Sequence, residues 1–105
     1  MSAISEDDVE RVRSLVAAIP SGMVSTYGDL AQAAGLSSPR IVGWIMRTDA
    51  ADLPWHRVIA ASGRPAPHLA AAQLAKLRAE GVLVTDGRVH LRAHRWSPPE
   101  YDGRD

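Results

Sequence analysis

There is no cysteine in this sequence, which removes disulfides, thiolate metal sites and cysteine nucleophiles together. No uncharged apolar run approaches the roughly 20 residues that span a bilayer, so no transmembrane helix and no membrane contact are expected. The stretch from Met1 to Asp8 is acidic, where a secretory or transit peptide is basic. A cytoplasmic location is the resulting expectation. Net charge is lacking too, since 12 Lys and Arg balance 12 Asp and Glu. What is present is globular material: 105 residues, 46% hydrophobic and 23% charged. That suffices for one compact domain and is too apolar for global disorder.

The neutral average hides a gradient. Residues 1–39 carry five acids against Arg11 and Arg13, whereas residues 40–95 carry nine basic residues against Asp49, Asp52, Glu80 and Asp86. Because screening confines each patch to about 10 Å, the positive middle can hold a polyanion even in a neutral chain. Eleven of the twelve basic residues are arginine, the residue suited to stacking and to forked phosphate contacts. A G+C-rich genome would produce the same excess.

Local signals place the elements. Ser5 and Asp8 form a capping-box pattern ahead of Val9, Val12, Leu15, Val16 and Ile19, the apolar stripe of an amphipathic helix that Pro20-Ser21-Gly22 stops. A short extended stretch around Met23-Val24-Ser25 follows. Thr26 and Asp29 repeat the capping box at the start of a helix from Tyr27 to Ala34, ended by Gly35. Ser37 or Ser38 caps a third helix that has Pro39 in its first turn and runs to about Thr48, with Ile41, Val42 and Ile45 facing inward.

The second and third helices, joined at Gly35-Leu36-Ser37, read as a helix-turn-helix. On the third, Arg40, Trp44 and Arg47 share one outward face. Alone that is a solvated stripe; after a helix-turn-helix it is a candidate DNA-facing one.

Beyond Pro54 comes Trp55-His56-Arg57-Val58-Ile59, then a polar loop from Ser62 to His68. An Ala-rich helix from Leu69 to Ala79 buries Leu74 and Leu77 and ends at Glu80-Gly81. Two strands, Val82–Val84 and Arg88–Leu91, flank Thr85-Asp86-Gly87, where Asp-Gly marks a hairpin turn. The expected organisation is one domain over residues 1–95 and a tail over 96–105. His90 and His94 have the spacing of a zinc half-site, but no cysteine or suitable carboxylate completes it, so no metal or cofactor is expected.

Four segments in order resemble the C-terminal domain of the O6-alkylguanine-DNA alkyltransferases: Ile19-Pro20-Ser21-Gly22-Met23-Val24, Thr26-Tyr27-Gly28-Asp29-Leu30-Ala31, Arg40-Ile41-Val42-Gly43 and Pro54-Trp55-His56-Arg57-Val58-Ile59. The likeness covers residues 5 to 81, including Leu77-x-x-Glu80-Gly81. It implies a mostly α-helical winged helix-turn-helix domain with a small β hairpin. In that family the active loop reads Pro-Cys-His-Arg. Here Trp55 stands at the cysteine position, and an indole N–H offers no nucleophilic lone pair. Alkyl transfer is therefore excluded.

The resemblance is then to the alkyltransferase-like branch, in which tryptophan holds that position. It implies a non-enzymatic sensor that docks in the minor groove of double-stranded DNA, flips O6-alkylguanine into a pocket and marks it for nucleotide-excision repair. On this likeness Tyr27 crowds the target phosphate and Arg40 fills the vacated stack. Trp55 lines the pocket, with His56, Arg57, Arg64 and Glu80 around it, and Trp44 and Arg47 extend the DNA face. The partners implied are lesion-bearing duplex and excision-repair proteins, with a monomer expected.

The chain departs from the family at Pro39, Ile41 and Trp44 around the finger, at Asp49, and in the loop after Ile59. A core plug left by the lost cysteine is the competing reading of Trp55. The rival function is a winged-helix transcription regulator that binds undamaged DNA, which would bind lesion and guanine equally. A hydrolase using His56 and Glu80 comes third.

Overall fold

The computed structural model describes residues 4–99. Among the described residues are five helices and two short strand pairs: α1 Glu6–Ala18, β1 Ser25–Thr26, α2 Tyr27–Ala33, α3 Pro39–Thr48, β2 Val58–Ile59, α4 Ala70–Ala79, β3 Val84–Thr85, β4 Arg88–Val89 and α5 Leu91–His94. Single 3-10 turns precede β2 (Trp55–Arg57) and α4 (Pro67–Leu69). The expected class, mostly α with a small hairpin, holds. Among the described residues no helix is long and apolar enough to cross a membrane.

Each helix starts where its cap dictates. Ser5 Oγ accepts from Asp8 N–H while Ser5 N–H donates to the Asp8 carboxylate, a complete capping box. Thr26 Oγ1 accepts from Asp29 N–H at 3.0 Å, but the Asp29 carboxylate is engaged by Arg95 instead of closing the second box. Ser38 caps α3 and Pro39 opens it. A Schellman pair, Leu36 N–H to Ala31 O and Gly35 N–H to Gln32 O, closes α2.

Arginines from elsewhere in the chain finish three helix C-termini. Arg57 Nη1 donates to Ile19 O, Arg11 Nε to Ala34 O and Arg13 Nη1 to Asp49 O, the C-cap carbonyls of α1, α2 and α3. A cation there satisfies an orphan acceptor and meets the negative end of the helix dipole. Arg13 also grips Asp52 with two hydrogen bonds, tying α1 to the segment after α3.

β1 and β2 pair in parallel, Ser25 with Val58 and Thr26 with Ile59. Successive strand residues face opposite ways, so this small ladder divides two cores. Val58 joins Val12, Val16, Ile19, Leu30, Val42 and Ile45 in the helical core. Ile59 joins Val24, Leu74, Leu77, Val82 and Val89 in the second.

Trp55-His56-Arg57, to which the sequence assigns no element, is a 3-10 turn. Two expectations are corrected. The second hairpin strand stops at Val89, and Leu91 opens a helix instead, because Ala93 N–H and Arg95 N–H turn back to His90 O and Leu91 O. The chain expected to be tail from residue 96 is still attached there: Trp96 N–H donates to Val24 O at 2.8 Å and its ring packs on the helical core. Of the expected tail, residues 100–105 lie outside the described residues.

The hairpin turn is the tight two-residue kind. Thr85 pairs with Arg88, and both Asp86 (φ 52°) and Gly87 (φ 74°) are left-handed, as a type I′ turn requires.

Candidate nucleic-acid interface

Trp55 is held by its backbone before any side chain acts. Pro54 (φ −74°, ψ 65°) forms an inverse γ-turn in which Trp55 N–H donates to Leu53 O at 2.7 Å, and Arg57 N–H returns to Pro54 O at 3.0 Å. This double turn leaves the indole half-buried and edge-on to His56, their centroids 6.1 Å apart and their planes at 88°.

The turn rests on Glu80, the C-cap residue of α4. A carboxylate at that end opposes the helix dipole, so it needs strong partners. Both its oxygens have them. Arg57 Nε donates to both oxygens and Arg57 Nη2 to Oε2 at 2.8 Å, Gly22 N–H donates to Oε1 at 3.1 Å, and His56 Nε2 lies 2.7 Å from Oε2. The Arg57 guanidinium pulls the Glu80 carboxyl down to about 2 against the opposing effect of burial, with His56 and the Gly22 N–H adding to it. Two turns earlier on α4, buried Gln73 donates to His56 O and Val58 O, pinning the backbone on either side of Arg57. The cluster is a clamp that fixes the turn behind Trp55 and the His56 ring that meets its indole edge-on.

Sequence reasoning placed His56, Arg57 and Glu80 around the pocket, and the structure does bring them together. Arg57, however, is committed to Glu80 and Ile19 O and turned into the scaffold. Gln73 and Gly22 were missed. The one available signal for Gln73 was a polar residue on an Ala-rich helix, seven positions before Glu80 on the same face.

Arg40, Trp44 and Arg47 are all exposed on α3, opposite buried Val42 and Ile45, as the helical period requires. Of the expected inner face, Ile41 is only partly buried. Tyr27, the first residue of α2, is half-buried on the helical core. Burial raises its phenol above the usual value while the Arg47 charge opposes the rise, so the fold brings Tyr27 and the last turn of α3 within electrostatic reach. Parallel pairing puts Tyr27 at the end of the ladder where β2 releases the loop bearing Arg64. Arg64 is exposed there, with its N–H on Ser62 Oγ.

His90 and His94 do not converge. His94 Nδ1 donates to Gly22 O and its Nε2 accepts from Leu83 N–H, whereas His90 Nε2 lies 2.7 Å from Thr85 Oγ1. Among the described residues no group of three His, Asp or Glu could hold a metal ion. A surface cleft of about 310 Å³ lies between α2 and the Arg95–Pro98 segment, beside none of the expected site residues.

The chain matches the model of the 6-O-methylguanine DNA methyltransferase DNA-binding domain over residues 8–82. It is 42% identical over 97 residues to the DNA base-flipping protein of Escherichia coli, covering 84% of this chain and 73% of that one. It is 35% identical over 98 residues to alkyltransferase-like protein 1 of Schizosaccharomyces pombe, covering 87% of this chain and 89% of the relative. The fold superposes on the crystal structure of S. pombe Atl1 in complex with damaged DNA containing O6-carboxymethylguanine, with a TM-score of 0.80, 30% identity, and coverage of 90% of this chain and 98% of the other. On the Mycobacterium tuberculosis O6-methylguanine methyltransferase the TM-score is 0.62 at 31% identity, covering 72% of this chain and 49% of that one. The chain therefore belongs to the family of the 6-O-methylguanine-DNA methyltransferase DNA-binding domain, as an alkyltransferase-like member without cysteine.

Proposed function

We propose that this protein is a non-enzymatic sensor of O6-alkylguanine in DNA. It docks in the minor groove, turns the alkylated base out against Trp55, and holds the site for nucleotide-excision repair. One observation carries the reading: an indole occupies the head of a turn held by the Arg57–Glu80–His56 clamp, edge-on to His56, in a chain without cysteine. His56 and Glu80 spend their contacts on that clamp, which leaves the site a binding surface. The relatives add to it, one named as a DNA base-flipping protein and one crystallised with O6-carboxymethylguanine DNA.

The roles follow from chemistry. Extruding a base costs a few kcal/mol of stacking and pairing, and less at a lesion that already pairs badly. Arg40 offers a guanidinium plane to fill the gap, and Tyr27 keeps its phenolic proton to donate to a phosphate. Trp55 gives the alkyl group a broad apolar face. Trp44, Arg47 and Arg64 extend the contact to backbone and base. With no covalent bond formed, the lifetime of the complex is the signal. The protein acts as a cytoplasmic monomer whose partners are lesion-bearing duplex and excision-repair proteins.

The test is fluorescence anisotropy on two matched duplexes, one with O6-methylguanine and one with guanine, at physiological salt. The expected preference is tenfold or more, about 1.4 kcal/mol. Equal affinity overturns the sensor reading in favour of a regulator of undamaged DNA. Trp55→Ala should flatten the preference among alkyl groups; an unchanged profile would put the pocket wall elsewhere.

A further inference from the structure

The hairpin β3–β4 has no role in the site described above, yet it holds the loop that carries Arg64. Val89 N–H donates to Gly63 O at 2.8 Å, so the free edge of β4 is taken by the loop rather than by another strand. Gly63 is buried beneath β4 with φ +78°. A Cβ there would fall 2.7 Å from Val89 O and 2.9 Å from Arg88 Cγ. Only glycine allows so close an approach in a left-handed conformation. The stem of Arg88 therefore lies directly on the loop, and Arg88 and Arg64 emerge from two backbones in contact.

Both side chains are exposed, and neither makes an ion pair among the described residues. Asp86, the acid of the hairpin, bridges neither. Neighbouring like charges repel, and no carboxylate offsets this pair in the way Asp29 offsets the exposed Arg95. Two forked cations carried on contacting backbones and left unneutralised suit an external anion with several acceptor oxygens.

We propose that Arg88 and Arg64 form a phosphate clamp for the DNA backbone, with Arg88 as a binding residue contributed by the hairpin and Gly63 as the residue that sets the spacing. This rests on the protein binding DNA, not on which base it prefers. The contribution of Arg88 adds affinity without reading sequence or damage, because phosphates carry neither.

The experiment is anisotropy on the guanine and O6-methylguanine duplexes from 50 to 200 mM salt, for the full-length chain and for Arg88→Gln and Arg88→Lys. Each phosphate contact contributes about 0.9 to the slope of log affinity against log salt. Arg88→Gln should lower that slope by about one on both duplexes and leave their affinity ratio unchanged. Arg88→Lys should restore the slope. Gly63→Ala keeps both charges but drives the loop off β4, and should weaken both duplexes alike in a protein that still melts cooperatively.

An Arg88→Gln slope equal to the parent's overturns the clamp, and points to an acidic protein surface if the variant instead fails to recruit a repair protein. A change in the duplex ratio without a slope change overturns it as well, since Arg88 would then read the lesion. Equal parent affinity for the two duplexes, with the slope still falling in Arg88→Gln, sinks the sensor reading and leaves the clamp standing.

Discussion

Beneath Trp55, Arg57 is folded into the protein, its guanidinium shared between Glu80 and the last carbonyl of α1; on α3, Arg40 has the same side chain and stands exposed. The difference lies in what the surroundings supply. Arg57 follows a tight turn that aims it at a carboxylate only 15% exposed and at an orphan helix carbonyl. Arg40 sits in the first turn of a helix with its backbone N–H on Ser38 Oγ and, among the described residues, makes no ion pair. In this fold an arginine becomes scaffold when acceptors converge on it and remains available for a ligand when they do not.

The interior half of that comparison should be the costlier to break. Glu80→Ala leaves the Arg57 charge part-buried without a counter-ion and frees the Gly22 N–H, and is expected to destabilise the protein by about 3 kcal/mol. Denaturant unfolding followed by tryptophan emission measures it; a loss below about 0.5 kcal/mol, the size of an ordinary surface substitution, would mean the clamp holds nothing. The same group predicts the acid limb. Its carboxyl is lowered from 4.5 to about 2 in the folded state, so the stabilisation is whole above pH 4.5 and is lost as pH falls through about 2. Glu80→Gln should flatten that part of the stability profile, and an unchanged acid limb would place the titrating contact elsewhere.

The exterior half should respond in binding and not in folding. Arg40→Ala is expected to weaken lesion binding by about 1–3 kcal/mol, the worth of a stacked filler, with unfolding shifted by less than about 0.5 kcal/mol. Parent-like binding by this variant would remove Arg40 from the duplex. A large stability loss would erase its contrast with Arg57.

The exterior was the more legible of the two in the sequence. Helix caps, apolar periodicity and an outward Arg40–Trp44–Arg47 stripe are local signals, and α1, α2 and α3 appear within a residue or so of their expected ends. What stayed hidden is non-local. The β1–β2 ladder is two residues per strand, too short for alternation to register, and joins segments on either side of two helices. Trp55–Arg57 turned into a 3-10 helix because Pro54 closes a γ-turn, and the attachment of Trp96 to Val24 has no local marker at all. His56, Arg57 and Glu80 could be grouped only through family likeness; Gln73 shares a helix face with Glu80, but its contact to Val58 O, like that of Gly22 N–H to Glu80, comes from the tertiary fold.

The smallest effect tests what decides the comparison, contact or exposure. Arg95 grips Asp29 as Arg57 grips Glu80, with Nε and Nη2 on the two carboxylate oxygens at 2.7 and 2.8 Å. The contact is equally forked, yet the Arg95 side chain is 50% exposed against 18% for Arg57. Water competes for the exposed pair and salt screens it, so Arg95→Gln should cost less than about 1 kcal/mol. That cost should shrink further at 1 M salt, where the screening length is about 3 Å. Asp29, held below the usual carboxylate range chiefly by Arg95, should rise toward the ordinary value in the variant, as followed by carboxyl NMR titration. If Arg95→Gln instead costs as much as Glu80→Ala and does so at high salt, burial is not what separates scaffold arginines from available ones. The forked contact alone would then be sufficient, and the exposed stripe on α3 would be available only because no carboxylate faces it.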